Sequence, residues 1–231
     1  MKWMALLVSG LMFASELSTL SAGLVTIHDR TFSNGTWAAS VLGGTNVSSV
    51  SLSRLIGQGV TGDALRTTIN GSGAFTFDVQ QFKQDRPFVT VDDGVIESIG
   101  WEIWYKVENS SQFASWRLAA RQAGTTYVAN STYFEPQLFS ANWQRRHGTI
   151  APNAFSRVSG PGSVTLDTSV GGAPIEFGYI LSRGVFLTGN TSYRASFFTL
   201  DIQTTAVPEP SSLVFIGTTL AMAISIRRRS R

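Results

Sequence analysis

Short runs in which apolar and polar residues alternate fill most of the chain between residues 24 and 206. The clearest run extends from Val95 to Val107. One of its faces carries Ile99, Trp101, Ile103, Tyr105 and Val107, and the other carries Ser98, Gly100, Glu102, Trp104 and Lys106. A period of two with one apolar face predicts a half-buried antiparallel strand. The Asp92-Asp93-Gly94 sequence directly before it predicts a hairpin turn.

The same alternation predicts further strands and the connections between them. Strands are expected at residues 75–79, 116–120, 175–181 and 198–202. Stretches rich in glycine, serine and asparagine predict loops at residues 43–53, 70–73 and 159–172, with a turn at 52–55. No segment has the periodicity of an amphipathic helix of globular length, so the body is expected to be all-β.

The number of these runs favours one kind of β architecture. About ten to thirteen short strands exceed the seven of a minimal immunoglobulin-type unit and suit a two-sheet antiparallel jelly-roll-like sandwich better. The 231-residue chain has no cysteine, so disulfides and cysteine metal sites are excluded and packing must hold the core. Residues 24–206 are long enough for one domain of ordinary size.

The N-terminal residues 1–22 have the pattern of a secretory signal peptide. Lys2 precedes an apolar stretch at residues 4–14, and small residues follow at 18–23, with cleavage expected after Ala22. Glu16 is unusual so close to an apolar stretch, and a core helix is the alternative interpretation. A signal peptide predicts passage through the Sec export machinery.

The C-terminal residues 207–231 combine three elements. A proline-rich stretch (Val207, Pro208, Glu209, Pro210) leads into an apolar run at residues 213–226, and a basic cluster follows (Arg227, Arg228, Arg229, Arg231). The prolines exclude a continuous strand or helix at the start, and the arginines favour the cytoplasmic side of a membrane. Fourteen helical residues span about 21 Å, whereas a stable crossing needs about 30 Å. The run therefore suits a transient transmembrane anchor.

These C-terminal residues resemble the PEP-CTERM sorting signal of proteins exported by Gram-negative bacteria. The resemblance implies an exosortase-type processing enzyme as partner, transient anchoring in the inner membrane, and delivery to the cell surface or extracellular matrix. It covers residues 207–231 and implies nothing about the body of the chain. An ordinary C-terminal anchor held by its arginines is the alternative.

The positive charge of the chain belongs to its two ends. The full sequence has 18 basic and 15 acidic residues, a net charge of +3. The end segments hold five of the basic residues and two of the acidic ones, so the remaining 13 and 13 balance. Nucleic-acid binding needs a concentrated cationic face, which this body lacks. The one remaining cluster, Arg145-Arg146-His147, is interpreted as a solvated turn.

The body is similar to exported jelly-roll domains of the lectin or laminin-G kind. The likeness rests on Asp29, Phe32, Gly35 and Trp37, on the Gly94-Val95-Ile96 run, and on residues 174–178. Some jelly-roll glycosidases carry Glu-Ile-Asp-x-x-Glu on one strand, but here Trp104 replaces the aspartate and Val107 the second carboxylate. No Gly-x-Ser-x-Gly nucleophile elbow is present either. We therefore expect a protein that is not an enzyme.

The sequence supports carbohydrate binding better than it supports catalysis. Glu102, Trp104 and Lys106 share the polar face of the predicted central strand, so an aromatic ring stands among hydrogen-bonding groups, an arrangement that suits sugar rings. Trp143, near Arg145, is a second candidate. The alternative is that the other sheet, or a loop, covers Trp104.

A structural calcium ion is a further hypothesis and the one cofactor considered. Asp29 and Asp201 lie near the two ends of the domain, and a cation could join its first and last strands. Calcium takes about six to eight oxygen ligands, so other groups would have to contribute. Aspartates that face water or cap turns are the alternative.

Together these patterns predict an exported cell-surface or matrix protein with a polysaccharide-binding β-sandwich. A purely structural matrix protein, or a jelly-roll hydrolase, are the alternatives.

Overall fold

A computed structural model describes residues 23–108, 115–134, 142–185 and 189–205. The predicted signal peptide and the predicted sorting signal lie outside these ranges. Within them, no helix is both long enough and apolar enough to cross a membrane.

Ten strands account for most of the described residues. They are β1 (Gly23–Asp29), β2 (Trp37–Leu55), β3 (Ala64–Lys83), β4 (Val95–Val107), β5 (Ser115–Gln122), β6 (Thr125–Ala129), β7 (Gln144–Ile150), β8 (Phe155–Ser159), β9 (Ile175–Val185) and β10 (Gly189–Thr205). One helical turn, α1 (Thr90–Asp93), precedes β4, and two 3₁₀ turns occupy Asn130–Thr132 and Pro152–Ala154. The prediction of an all-β body is confirmed.

Every strand pairing is antiparallel, and the strands follow the order β7-β4-β10-β3-β9-β5-β6-β8. β1 adds to the C-terminal half of β10, and β2 pairs with β3 along nearly its whole length. β3 pairs with β10 through its first half and with β9 through its second. The long β2–β3 hairpin therefore belongs to both halves of the sheet.

The sheet folds over so that its two halves face each other. Trp101 on β4 stacks on Trp116 on β5, with ring centroids 5.4 Å apart, although β10, β3 and β9 separate these strands. In a flat sheet the two strands would be about 19 Å apart. The result is a jelly-roll-like sandwich of a first layer (β7, β4, β10, β1) and a second layer (β9, β5, β6, β8), joined by β2 and β3.

The main core fills the space between the layers. It is aromatic-rich, and Tyr105, Trp116, Tyr179 and Phe198 are among its fully buried members. From Ser98 to Val107 the buried residues of β4 occupy odd positions, as the alternation predicts, so the even positions there face outward. Ile96, next to a pairing irregularity at Gln203/Thr204, is also buried.

Two loop predictions were wrong. Residues 43–53 belong to β2, and residues 70–73 belong to β3. β2 has pairing irregularities at Val41/Gly43 and Thr45/Val47, and both Gly44 and Asn46 have positive φ. Glycine and asparagine therefore form bulges within a continuous strand here. Residues 52–55 also continue β2 and form no turn, whereas the prediction of a loop after Ser159 is confirmed.

The predicted hairpin before β4 was also wrong. Asp92 and Asp93 belong to α1, and Gly94 ends this helical turn with φ 96°. The Asp93 carboxylate accepts a hydrogen bond from the backbone N–H of Val89, 2.8 Å away. The same residue types thus form a short helix with a glycine at its end.

The second layer is curved so that its outer face is concave. Thr126 on β6 donates a hydrogen bond to Gln80 on β3 (2.8 Å), although β9 and β5 lie between their strands. These strands would be about 14 Å apart in a flat sheet. A second apolar cluster fills the curve, and its members are Leu42, Phe82, Ala119, Val128 and Ile180.

Candidate functional site

The outer face of the first layer carries the residues predicted to bind carbohydrate. Glu102, Trp104 and Lys106 occupy even positions of β4, opposite the core-facing residues. Trp104 pairs with Arg145 on β7 and with Ser196 on β10, so its neighbours come from both adjacent strands. Trp104 is half-buried, and the second layer lies on the other side of β4.

Hydrogen bonds hold Trp104 and Glu102 together. The indole Nε1 of Trp104 donates to Glu102 Oε1 over 2.9 Å. Arg145 donates to the same carboxylate twice, from Nε to Oε1 (2.9 Å) and from Nη2 to Oε2 (2.8 Å). Such a two-bond guanidinium–carboxylate contact fixes orientation as well as charge. We call Glu102, Trp104 and Arg145 the tryptophan clamp.

The charge of Glu102 is set by this clamp. The hydrogen bonds from Arg145 are the main reason that the pKa of Glu102 lies below its ordinary value, and they outweigh burial, which alone would raise it. The Trp104 indole adds a smaller contribution in the same direction. Glu102 is therefore ionised at neutral pH and acts as a hydrogen-bond acceptor.

A shallow groove of about 350 Å³ adjoins the clamp on the same face. Its floor includes Gly100, where the missing side chain leaves a gap in the polar row of β4. The side chains that border it include Glu102, Arg145, His147, Thr149, Thr199 and Asp201, together with Phe197. We call it the Gly100 groove. It combines two aromatic residues, Phe197 and Trp101, with hydroxyl, carboxylate, imidazole and guanidinium groups.

Phe197 reaches this groove because of a bulge in β10. The pairing of β10 with β4 is interrupted between Ser196 and Thr199, and Phe197 has a φ of 54°. Arg30 covers the Phe197 ring, with its guanidinium carbon 4.5 Å from the ring centroid. Because of the bulge, Ser196 and Thr199 both lie on the outer face although they are three residues apart, and Phe197 lies between them at the groove.

Trp143 takes a different position from Trp104. It immediately precedes β7 and is half-buried. The structure does not bring it into the lining of the Gly100 groove as far as the described residues define it. Its role as a carbohydrate-binding residue stays a prediction.

Asp29 and Asp201, the proposed calcium ligands, lie on opposite faces of the sheet. Asp201 pairs with Thr26 of β1, faces outward, and accepts a hydrogen bond from the Thr26 hydroxyl over 2.9 Å. Asp29 is three residues further along β1, so it points inward and is 4% exposed. Both carboxylates therefore cannot ligate one ion. Among the described residues, no group of three or more His, Asp or Glu side chains is placed to hold a metal.

Asp29 instead joins the start of the domain to the sandwich. Its carboxylate accepts hydrogen bonds from the Phe32 and Thr31 backbone N–H groups, from Trp37 Nε1 and from Lys83 Nζ. Burial alone would raise the pKa of Asp29, but these donors outweigh it and the pKa lies below its ordinary value.

Sequence reasoning missed the part that β7 plays. Arg145-Arg146-His147 was predicted to be a solvated turn, but these residues form the middle of β7. Arg145 and His147 lie opposite Trp104 and Glu102. A signal was present, since Arg145, His147 and Thr149 alternate with Arg146, Gly148 and Ile150. Both sets are mainly polar, however, because β7 is an edge strand.

The concave outer face of the second layer is filled by its own side chains. Arg121 forms an ion pair with Glu176, and its guanidinium carbon lies 4.9 Å from the ring centroid of Phe82. Phe82 and Ile180 beneath are 1% exposed. Besides the Gly100 groove on the first layer, a larger groove of about 530 Å³ lies at Val95 and residues 163–169.

No protein-family model matches the chain, and no curated protein matches it. Several solved structures are similar in shape. A family 11 carbohydrate-binding module from Clostridium thermocellum, in complex with a β-1,3-1,4-mixed-linked tetrasaccharide, is 15% identical, with a TM-score of 0.47, over 82% of this chain and 99% of that one. The CBM22-1 xylan-binding domain from Paenibacillus barcinonensis Xyn10C is 13% identical, with a TM-score of 0.42, over 82% of this chain and 100% of that one. At such low identity these structures identify no ligand for this chain.

Proposed function

We propose that this protein binds polysaccharide on the outer face of its first layer. The observation that carries the proposal is the tryptophan clamp, in which an outward-facing indole is fixed by Glu102 and Arg145 beside an open groove. A fixed aromatic ring loses little conformational entropy when a ligand stacks on it. The clamp is therefore organised for binding before any ligand arrives.

The groups around the clamp match the chemistry of a sugar. A pyranose ring presents apolar C–H faces, which stack on aromatic rings, and hydroxyls at its edge, which exchange hydrogen bonds. Arg145, Thr149, Thr199 and Asp201 supply donors and acceptors along the Gly100 groove. Because the groove is shallow and open, it suits consecutive residues of a polymer better than a small enclosed ligand.

Binding without catalysis is the function that the groove supports best. A glycosidase needs a carboxylic acid that can donate a proton. Glu102 is held ionised by Arg145, which lowers its pKa. Asp201 faces outward and accepts a hydrogen bond from Thr26. Neither carboxylate is in the apolar surroundings that keep a catalytic acid protonated.

We further propose that the protein is exported and sorted to the cell surface or the extracellular matrix. This proposal rests on sequence alone, namely the pattern of residues 1–22 and the Pro208-Glu209-Pro210 segment with its apolar run and arginines. Its partners would be the Sec export machinery and an exosortase-type enzyme. A polysaccharide-binding surface has an obvious use in a matrix made of polysaccharide.

Substitution of Trp104 by alanine tests the binding proposal. The purified full chain is measured against a panel of soluble neutral and acidic polysaccharides by affinity electrophoresis. Trp104→Ala should lose retention on every polysaccharide that retards the wild type. Val158→Ala, which truncates an exposed side chain on β8 at the far end of the sheet, is the control and should bind normally. If Trp104→Ala stays folded and binds like the wild type, the clamp is not the site. If the wild type binds no polysaccharide, a purely structural role replaces the proposal.

A further inference from the structure

A row of positive side chains crosses the first layer directly beside Trp104. Lys106 on β4 pairs with Arg194 on β10, and Arg194 pairs in turn with Arg66 on β3. All three lie on the outer face, in the row next to that of Trp104 and Ser196. Like charges directly opposite each other on neighbouring strands are destabilising. This row therefore favours the presence of anions.

Glu108 supplies one anion to this row. Its carboxylate lies 2.6 Å from Arg66 Nη2 and also forms an ion pair with Arg194. Burial alone would raise the pKa of Glu108, but the hydrogen bonds from Arg194 and Arg66 outweigh it and the pKa lies below its ordinary value. One ionised carboxylate thus serves two guanidinium groups.

Lys106 has no counter-charge among the described residues. None of the ion pairs between described residues includes it. Arg145, on the other side of Trp104, is already held by Glu102. The basic side chains of this surface are Arg66, Lys106, Arg145 and Arg194, and the acidic ones are Glu102 and Glu108. Among these six side chains positive charge is therefore in excess by two, although the body of the chain is neutral overall.

We propose that the ligand of this surface is an acidic polysaccharide, in which the carboxylate of a uronic acid residue binds Lys106 while a neighbouring sugar ring stacks on Trp104. This inference rests on the proposed function and names its ligand class. Trp104 and Lys106 are two residues apart on one face of β4, about 7 Å along the strand. One polymer segment can therefore contact both side chains.

The arrangement of charges on this surface favours a polysaccharide that carries a carboxylate over a neutral one. Glu102 and Glu108 are each fixed by arginines, so they cannot swing over to neutralise Lys106 without breaking two-bond contacts. A neutral polysaccharide would stack on Trp104 but would leave Lys106 unpaired. An acidic polymer makes the same stacking contact and adds a charge-assisted hydrogen bond.

The test compares uronic acid polymers with their own carboxyl-reduced forms. Polygalacturonate and alginate, each before and after carboxyl reduction, are titrated into the full chain at about 0.05 M and about 0.5 M NaCl, since salt screens such interactions. We expect the acidic form of at least one polymer to bind roughly five- to tenfold more tightly than its reduced form at low salt, and the difference to shrink at high salt.

Charge variants locate the effect. Lys106→Gln should remove the preference by lowering the affinity for the acidic form to about that for the reduced form, whereas Lys106→Arg should retain the preference. Arg86→Gln deletes an equal charge from an exposed position between β3 and α1, and it should change neither affinity. Trp104→Ala should weaken the binding of both forms.

The outcomes separate this inference from the proposed function. If acidic and reduced polymers bind equally, or if Lys106→Gln keeps the preference, the inference is overturned and polysaccharide binding stands. If polyglutamate binds as tightly as the uronic acid polymers, the surface recognises charge without sugar, and the inference also fails. If no polymer, acidic or neutral, binds the wild type, the proposed function fails and this inference with it.

Discussion

Lys83 Nζ lies 3.0 Å from Asp29 Oδ2, and this ion pair joins the first strand of the domain to the end of β3. Both side chains are almost fully buried, at 8% and 4% exposure. Lys83 also pairs with Asp85, 2.7 Å away, so one ammonium group serves two carboxylates. β1 pairs only with β10 in the described part of the sheet, and this contact links it to β3, which joins the two layers.

Replacing Asp29 by asparagine should destabilise the fold. The substitution leaves Lys83 buried with less compensation and weakens the hydrogen bonds from Trp37 and Phe32. Breaking a buried pair by removing one partner costs about 3–5 kcal/mol. Urea denaturation at pH 7 should show a loss of roughly that size, and Asp201→Asn, on the outer face, should cost much less.

The contribution of Asp29 should also depend on pH in a defined direction. Its pKa in the folded protein lies below the ordinary value of 3.8, so the folded state holds the ionised form more strongly than the unfolded state does. Its stabilisation is complete above the unfolded pKa and is lost as the pH falls through the folded pKa. The stability difference between wild type and Asp29→Asn should be constant from pH 7 to about pH 5 and shrink below about pH 4. A difference that stays constant down to pH 3 contradicts this role.

Substitution by alanine should destabilise the fold at one glycine and leave its stability nearly unchanged at another. A Cβ at Gly178, in the middle of β9, would overlap the carbonyl oxygen of Gln81 and come within 2.8 Å of Phe82 Cα. A Cβ at Gly100 would lie 3.4 Å from the Asp201 carbonyl oxygen, an ordinary contact. Gly178→Ala should cost about 1–3 kcal/mol, whereas Gly100→Ala should change stability by less than about 0.5 kcal/mol.

Polysaccharide binding should be weakened by the substitution at Gly100 and not by the one at Gly178. A methyl group at Gly100 occupies the floor of the groove, so we expect weaker polysaccharide retention by a normally folded Gly100→Ala protein. Gly178 lies in the second layer, and whatever Gly178→Ala protein stays folded should bind with wild-type affinity. Unchanged retention by Gly100→Ala would place the ligand elsewhere on the first layer.

Glu102→Gln should weaken binding by loosening the tryptophan clamp. A neutral amide cannot form the charged two-bond contact with Arg145, because its one carbonyl oxygen must serve both Trp104 and Arg145 while its –NH₂ group is a donor facing the guanidinium. Glu102 has a lowered pKa, so the clamp stays intact at neutral pH and opens only as the pH falls through that lowered value. Wild-type affinity for a neutral polysaccharide should therefore be flat from pH 8 to about pH 5 and fall in stronger acid. In Glu102→Gln protein the affinity should be low throughout, and a wild-type-like profile in this variant contradicts the role of the clamp.

The alternation of apolar and polar residues was sufficient to predict a strand where that strand has one buried face. β4 spans Val95–Val107, as predicted, and from Ser98 onward its odd positions face the core and its even positions face outward. β2 was misread because much of it is exposed and pairs with only one neighbour, β3. Such a strand needs few apolar residues and tolerates bulges at Gly44 and Asn46, so its composition resembles that of a loop.

The site could be predicted only in part, for a related reason. Alternation along β4 is local, and it places Glu102, Trp104 and Lys106 on one face. The pairing of Glu102 with Arg145 depends on which strand lies beside β4 and in which register, and no local pattern contains that information. The burial of Phe82 on an outward-facing position likewise depends on the curvature of the second layer.

The C-terminal segment gives the last prediction, and it is tested in the organism that makes the protein. Replacing Pro208, Glu209 and Pro210 by alanine keeps the apolar run and the arginines but removes the proposed recognition sequence. The wild type should appear outside the cell, shortened near residue 207 by intact mass, because the proposed sorting enzyme cuts at this point. The altered protein should remain full-length in the membrane fraction apart from its signal peptide, because the apolar run and the arginines still hold it there.

A second variant separates sorting from simple anchoring. Replacing the four terminal arginines by glutamine leaves Pro208-Glu209-Pro210 intact and removes the charges that oppose translocation. If the segment is a sorting signal, this variant should lose membrane retention and escape correct processing, while the proline variant is retained and uncut. If wild type and proline variant instead both stay in the membrane at the same mass, the segment is only an anchor. The proposed polysaccharide-binding surface would then act at the membrane and not in a released matrix protein.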